Sequence, residues 1–326
     1  MNKILVMGGT EFISKAVVIS LIKRGYCVDF VTRGLKRVDF DGYHQHFITD
    51  RKDKEALKNL LKDELYDYIF DVSAYTKEDV ENLIEAVDRT RLKRYIFISS
   101  GAVYLSSDTY LKESDDRGFN ENWKNYGYDK KLAEDYLLEL YDKIGFPCVI
   151  FRPSYVYGEG NNLKRESFLF DRAEHSYPIV IPVSGATFVQ FIHIQDLVKV
   201  LLATMNNLQL DGKAFNLTHP EIIEWPTLIK TIRQIVKKEF DLKGISQEKM
   251  DQLNISLASF FPFRDLTYLL DSHKLAAYRL PLPSITLKEG LTKTYEWYLA
   301  HNLLSDIIRS EEYEKVVAAS KTIDDK

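Results

Sequence analysis

Short apolar runs alternate with longer amphipathic stretches through the first half of the chain. The runs at 3–8, 26–32, 44–49, 67–73, 93–100 and 147–152 predict strands, and apolar positions spaced three and four apart at 12–24, 51–63, 77–90 and 123–145 predict helices. Such alternation needs a crossover between successive strands, so the expected fold class is α/β, a doubly wound parallel sheet. Tyr95-Ile96-Phe97-Ile98 shows no polar–apolar alternation, as a strand covered on both faces requires.

Beyond residue 153 the rhythm loosens. A strand at 188–193, a helix at 194–209 and a strand at 213–217 are placed to extend the same sheet. The stretch 218–304 reads as mainly helical, broken at Pro226, Pro262, Pro281 and Pro283. This divides the chain into a sheet domain (1–162 and 188–217), a smaller, mainly helical substrate lobe (163–187 and 218–304) over the sheet's carboxyl edge, and a loose charged tail (305–326).

At 326 residues the chain can hold a full α/β core and a second lobe. A net charge of −4 gives no general pull toward nucleic acid or acidic membranes. The two cysteines, Cys27 and Cys148, lie in apolar stretches and read as buried thiols. With neither a disulfide framework nor metal-type Cys/His spacing, a reducing cytoplasmic setting and no metal are expected. The start of the chain is too short an apolar run for a signal peptide, and no stretch approaches ~20 apolar residues, so no membrane association is expected.

Four constellations carry chemistry. Gly8-Gly9-Thr10-Glu11-Phe12-Ile13-Ser14 follows the first strand, where a glycine turn lets the backbone approach a pyrophosphate at the positive end of the next helix. A carboxylate at Glu11 would repel that group unless it turns outward. At the end of the second strand, where an acid would hold the ribose of NAD, stand Thr32 and Arg33, with Lys36 and Arg37 close behind. Positive charge there suits a 2′-phosphate and favours NADP over NAD. Tyr126 and Lys130 are four apart on one helix face, in line with Ala133, Leu137, Tyr141 and Ile144. The pair should point into a cleft, with the ammonium drawing the phenol pKa down toward a useful base. Ser100 ends the fifth strand, at the carboxyl edge where parallel sheets place ligands.

In this order the motifs resemble the NAD-dependent epimerase/dehydratase family, the extended short-chain dehydrogenases/reductases, from Ile4 to about Tyr298. The likeness includes Phe97-Ile98-Ser99-Ser100-Gly101-Ala102-Val103-Tyr104, Tyr126-Gly127-x-x-Lys130, Arg152-Pro153-Ser154-Tyr155-Val156-Tyr157-Gly158 and Phe191-Ile192-His193-Ile194-Gln195-Asp196-Leu197. The resemblance implies a dinucleotide-binding sheet domain and hydride chemistry on a sugar-type hydroxyl, with a nucleotide sugar as substrate. It makes Tyr126 the acid/base, Lys130 its pKa-lowering, ribose-binding partner, and Ser100 the hydroxyl that orients the substrate oxygen. Gly8 and the amides of Gly9, Thr10, Glu11, Phe12 and Ile13 would form the pyrophosphate loop. Asp50 and Arg51 would meet the adenine, Ser73 and Ala74 would pass beside the cofactor, Pro153 would flank the nicotinamide, and Arg264 would meet the substrate's diphosphate. The resemblance also implies a homodimer through the helices at 77–90 and 123–145, with Val87 and Leu138 as added apolar positions.

Two departures stand out. Glu11 and Ser14 replace glycines of the family loop, and Gly101-Ala102 replaces the acidic pair of the dehydratases, which argues against a 4,6-dehydratase and for an epimerase or reductase. The wording of the loop leans toward an atypical branch that includes chloroplast stem-loop RNA-binding proteins. The alternative function is therefore a non-catalytic fold binding RNA or protein.

Overall fold

The structure, a computed structural model, describes residues 2–183, 185–207, 209–305 and 310–323. The first half runs β1 (Lys3–Met7), α1 (Phe12–Lys23), β2 (Cys27–Thr32), β3 (Gln45–Ile48), α2 (Lys54–Leu61), β4 (Tyr68–Asp71), α3 (Lys77–Ala86), β5 (Arg94–Ile98), α4 (Lys124–Ile144) and β6 (Cys148–Pro153). These match the strands and helices expected from the pattern. The second half runs β7 (Tyr155–Tyr157), α5 (Glu166–Glu174), β8 (Ile179–Pro182), β9 (Phe191–His193), α6 (Ile194–Ala203) and β10 (Lys213–Leu217). It continues with α7 (Trp225–Val236), β11 (Leu242–Ile245), α8 (Gln247–Leu253), α9 (Lys274–Ala277), α10 (Leu287–Ala300), α11 (Glu311–Ala319) and β12 (Lys321–Thr322).

Seven parallel strands form one sheet in the order β10-β6-β5-β4-β1-β2-β3, the doubly wound arrangement expected. Its lack of alternation has a direct cause. Ile4 and Val6 face a core shared with Val17, Leu21 and Leu197 of α1 and α6, whereas Leu5 and Met7 face one shared with Leu57, Leu83 and Leu137 of α2, α3 and α4. The strand order reverses between β1 and β4, and a crevice at such a switch point is where an open α/β sheet takes a ligand.

The lobe is mainly helical, as expected, and also holds a small sheet in which β8 and β11 pair in parallel beneath α5 and α7. Two expectations need correction. The run at 188–193 does not extend the main sheet: β10 takes the edge of β6, and β9 pairs with β7 in a separate parallel ribbon. The charged end is not loose. Tyr313 and Val316 of α11 are buried in the lobe core, and β12 adds an antiparallel edge to β11. In addition, Leu275 and Leu280 belong to the core beneath the main sheet, although they lie in the stretch assigned to the lobe.

Helix α4 is pinned to the sheet by charge as well as by packing. The buried Arg152 of β6 donates from Nε to Glu134 Oε1 at 3.0 Å and from Nη2 to Oε2 at 2.7 Å, while its Nη1 donates to the Tyr104 hydroxyl at 2.7 Å. The apolar stripe runs through Ala133 and Leu137 but leaves the core after that, since Tyr141 and Ile144 are exposed. Val87 is buried, and Leu138 is partly buried against the same core. Glu134→Ala would strand the Arg152 guanidinium inside the protein. It is expected to cost about 3–5 kcal/mol of stability, read from urea denaturation midpoints.

Candidate active site

The crevice is a cleft of about 870 Å³ running from the loop after β1, past the ends of β2, β4 and β5, to the lobe. Gly8, Gly9, Thr10, Glu11, Phe12 and Ile13 line one end. Gly8 and Gly9 take φ of +97° and +152°, and a Cβ on Gly9 would stand 2.5 Å from the Phe30 ring. Only glycine fits there. Ser14 is accommodated without its glycine: its hydroxyl accepts from Gly9 N and donates to Glu11 O, both at 2.9 Å. The Glu11 carboxylate turns out toward Lys36, 4.0 Å away. The first turn of α1 carries no acid and no side-chain cap, so its amides remain available to an anion.

At the end of β2, Thr32, Arg33 and Lys36 all line the cleft. Thr32 holds no carboxylate; its hydroxyl bonds His46 Nε2 at 2.7 Å. Asp50 and Arg51 line the cleft too, but Arg51 is not free for a base. Its guanidinium donates to Asp71 Oδ1 at 2.7 Å, Asp71 Oδ2 at 2.9 Å, Ser73 Oγ at 3.0 Å and the Asp79 carbonyl at 2.7 Å. Asp50 caps the amide of Lys52. Ser73 reaches the cleft wall, whereas Ala74 is fully buried behind it. Pro153 lies on the wall as expected.

Ser100, Tyr126 and Lys130 meet in the middle. A Cβ on Gly127 would lie 2.1 Å from the Ala102 carbonyl, so the missing side chain lets α4 close onto the turn that follows β5. Tyr126 is 41% exposed as a residue and lines the cleft with Ser100. Burial pushes the phenol pKa above its ordinary value, opposed first by the nearby Ser100 hydroxyl and then, more weakly, by Arg165 and Arg264. Lys130 does not lead that opposition as expected. Its Nζ donates to the Ile98 carbonyl at 2.6 Å between the Phe97 and Tyr75 rings. Desolvation brings the Lys130 pKa down to about 8, partly offset by Asp71.

Sequence reasoning named Arg264 of the lobe, which lines the cleft, but missed Arg165 and Tyr268. Arg165 lies over the rings of Tyr155 and Phe263, and Arg264 lies over Trp123 and donates to the Asn122 carbonyl. Both guanidiniums line the cleft, and among the described residues neither has an ion pair with a carboxylate. Tyr268 completes the wall. No motif marks Arg165 or Tyr268, because only the docking of the lobe brings them to β5.

The family model described as "NAD dependent epimerase/dehydratase family" matches residues 4–218. The chain belongs to the epimerase/dehydratase family. Among relatives of this family member, the Arabidopsis thaliana protein "Chloroplast stem-loop binding protein of 41 kDa b, chloroplastic" is 29% identical over 307 residues, 90% of this chain and 78% of that one. Human dTDP-D-glucose 4,6-dehydratase is 24% identical over 326 residues, 91% of this chain and 90% of that one. Among solved structures, a UDP-glucose 4-epimerase from Thermotoga maritima with UDP-glucose superposes with a TM-score of 0.77 at 19% identity, covering 92% of this chain and 99% of that one. That likeness speaks for the epimerase/dehydratase fold.

Lys130 gives this site a pH signature. Above about pH 8 the native protein has released the Lys130 proton, while the unfolded chain keeps its own to the ordinary value of 10.5. The unfolded state then binds more protons, so wild type gains stability relative to Lys130→Met as pH rises through this window. The gain is on the order of 2 kcal/mol, and urea midpoints of both proteins across the window measure it.

Proposed function

We propose that this protein transfers hydride between a nicotinamide dinucleotide and a hydroxyl-bearing carbon of a nucleotide sugar, either oxidising and re-reducing that carbon as an epimerase or reducing its carbonyl form once, with the reduced cofactor, as a reductase. The observation that carries this reading is the meeting of Ser100 and Tyr126 over a buried Lys130, in a cleft continuous with the Gly8-Gly9 loop. The lining fits such a cofactor: the amides from Gly9 to Ile13 would hold its pyrophosphate, Ser73 and Pro153 would flank its path, and Arg33 with Lys36 would meet a 2′-phosphate. When bound, the group accepts and returns hydride.

The protein's own part is proton handling and positioning. Tyr126 as phenolate takes the proton of the substrate hydroxyl, and Ser100 donates to that oxygen as it becomes a carbonyl. The Lys130 ammonium favours the phenolate once a substrate has displaced water from the cleft. Arg165 and Arg264, set on aromatic rings without carboxylate partners, suit the diphosphate, and the Trp123, Tyr155 and Tyr268 rings offer stacking surface to the sugar. Elimination of water is disfavoured because Gly101 and Ala102 supply no acid.

A second reading, binding of an RNA stem-loop, draws on the likeness to the chloroplast stem-loop binding protein. Titrating the protein with NADP, NAD and a labelled stem-loop separates the two. The enzyme reading expects a dinucleotide to bind and the RNA to bind weakly; tight binding of the RNA with neither dinucleotide bound favours the second.

Arg33→Ala is expected to cost about 1–3 kcal/mol of NADP binding and to leave NAD nearly unchanged, by calorimetric titration. Equal affinity of the wild type for the two would remove the NADP assignment. With a turned-over nucleotide sugar in hand, Tyr126→Phe should lower kcat ~10²–10⁴-fold while cofactor affinity survives.

A further inference from the structure

The Lys130 ammonium lies between two aromatic rings that differ in their access to solvent. Its Nζ is 5.0 Å from the centroid of the Phe97 ring and 5.3 Å from that of Tyr75. Phe97 belongs to β5 and is fully buried, so it backs the ammonium from inside the sheet domain. Tyr75 is 58% exposed and lines the cleft, so its ring stands on the side from which water would arrive. Lys130 itself is only 4% exposed.

The turn ahead of α3 fixes where that ring stands. The amides of Tyr75 and Thr76 both donate to Asp79 Oδ2, at 2.8 and 3.0 Å, and the Thr76 hydroxyl accepts from the Asp79 amide at 3.2 Å. Arg51 ties the same turn down by donating to the Asp79 carbonyl at 2.7 Å. From this base the Tyr75 ring leans toward the site, its centroid 6.1 Å from that of Tyr126 at an interplanar angle of 58°.

No carboxylate touches the ammonium. Its hydrogen bond goes to the Ile98 carbonyl at 2.6 Å, and among the described residues it has no ion pair. Asp71 of β4, Asp79 of α3 and Glu134 of α4 attract it from further off, and Arg51 opposes them. These acids are already engaged, Asp71 and Asp79 by Arg51 and Glu134 by Arg152 and Arg117. The phenols of Tyr75 and Tyr126, and that of Tyr95 on Asp71, complete the titratable groups around it. With no counter-ion in contact, the exclusion of water governs how tightly Nζ holds its proton, and it brings the pKa down to about 8.

We propose that Tyr75 is a positioning residue for Lys130: its ring closes the cleft side of the ammonium opposite Phe97, keeping water off Nζ and holding it on the Ile98 carbonyl. This deepens the proposed function and rests on its assignment of Lys130 to the Tyr126 phenolate. A dry ammonium acts on a nearby negative charge more strongly than a hydrated one, so the cover serves the step in which that phenolate forms.

The test follows the lysine Cε resonances of the full chain by NMR as pH is raised, without ligand, with Lys130→Met assigning the signal. Tyr75→Ala admits water and is expected to move the Lys130 midpoint upward by about one pH unit or more. Loss of the ring's attraction for the cation works the other way but is worth roughly half a unit, so hydration decides the sign. Tyr75→Leu keeps an apolar cover without the ring, and should leave the midpoint in place or lower it by about that half unit. Tyr75→Phe should match wild type. An unchanged or lowered midpoint in Tyr75→Ala would overturn the proposal, and so would an equal rise in Tyr75→Leu or a wild-type midpoint at the ordinary 10.5. Failure to turn over any nucleotide sugar would instead count against the proposed function alone, because the titration is read in the ligand-free protein.

Discussion

The site depends on a backbone contact. Gly127 brings α4 against the Ala102 carbonyl so closely that no side chain fits between them. Tyr126 and Lys130 flank that contact on the same helix, and Ser100 begins the turn it touches, so a single approach sets all three. The buried Arg152–Glu134 pair, seven residues along the helix from Gly127, holds α4 at that distance from the sheet. Packing, charge and the missing Cβ thus act on the same few degrees of helix placement.

The sheet domain was legible because each of its central strands is covered on both faces, which writes an uninterrupted apolar run into the sequence. Ser100, Tyr126, Lys130 and the glycine loop were legible for a related reason, since each sits at a fixed offset from such a run. What escaped was set by partners distant along the chain. Arg51 reads as a free cation until Asp71 and Asp79 are seen around it. The strands β8 and β11 are too short to announce themselves, and β7 and β9 pair in a ribbon of their own while β10 holds the edge of β6. Tyr268 had no signal at all beyond being one of 20 tyrosines.

The substitutions in the glycine loop show how a family pattern can change while its geometry is kept. Ser14 places its hydroxyl between Gly9 and Glu11 and thereby ties the loop with a side chain. Glu11 spends its charge outward on Lys36, so the first turn of α1 keeps its positive end. The loop is held by these hydrogen bonds together with the close packing of Gly9 against Phe30.

The docking of the last strand carries a consequence for solubility. A short sheet such as β8–β11 presents a row of unpaired amides and carbonyls along its open side, and such rows recruit strands from other molecules. Here β12 lies along β11, and α11 seals the approach by burying Tyr313 and Val316. Residues 310–323 therefore serve as a built-in guard against edge-to-edge association, shielding a surface that lies apart from the cleft.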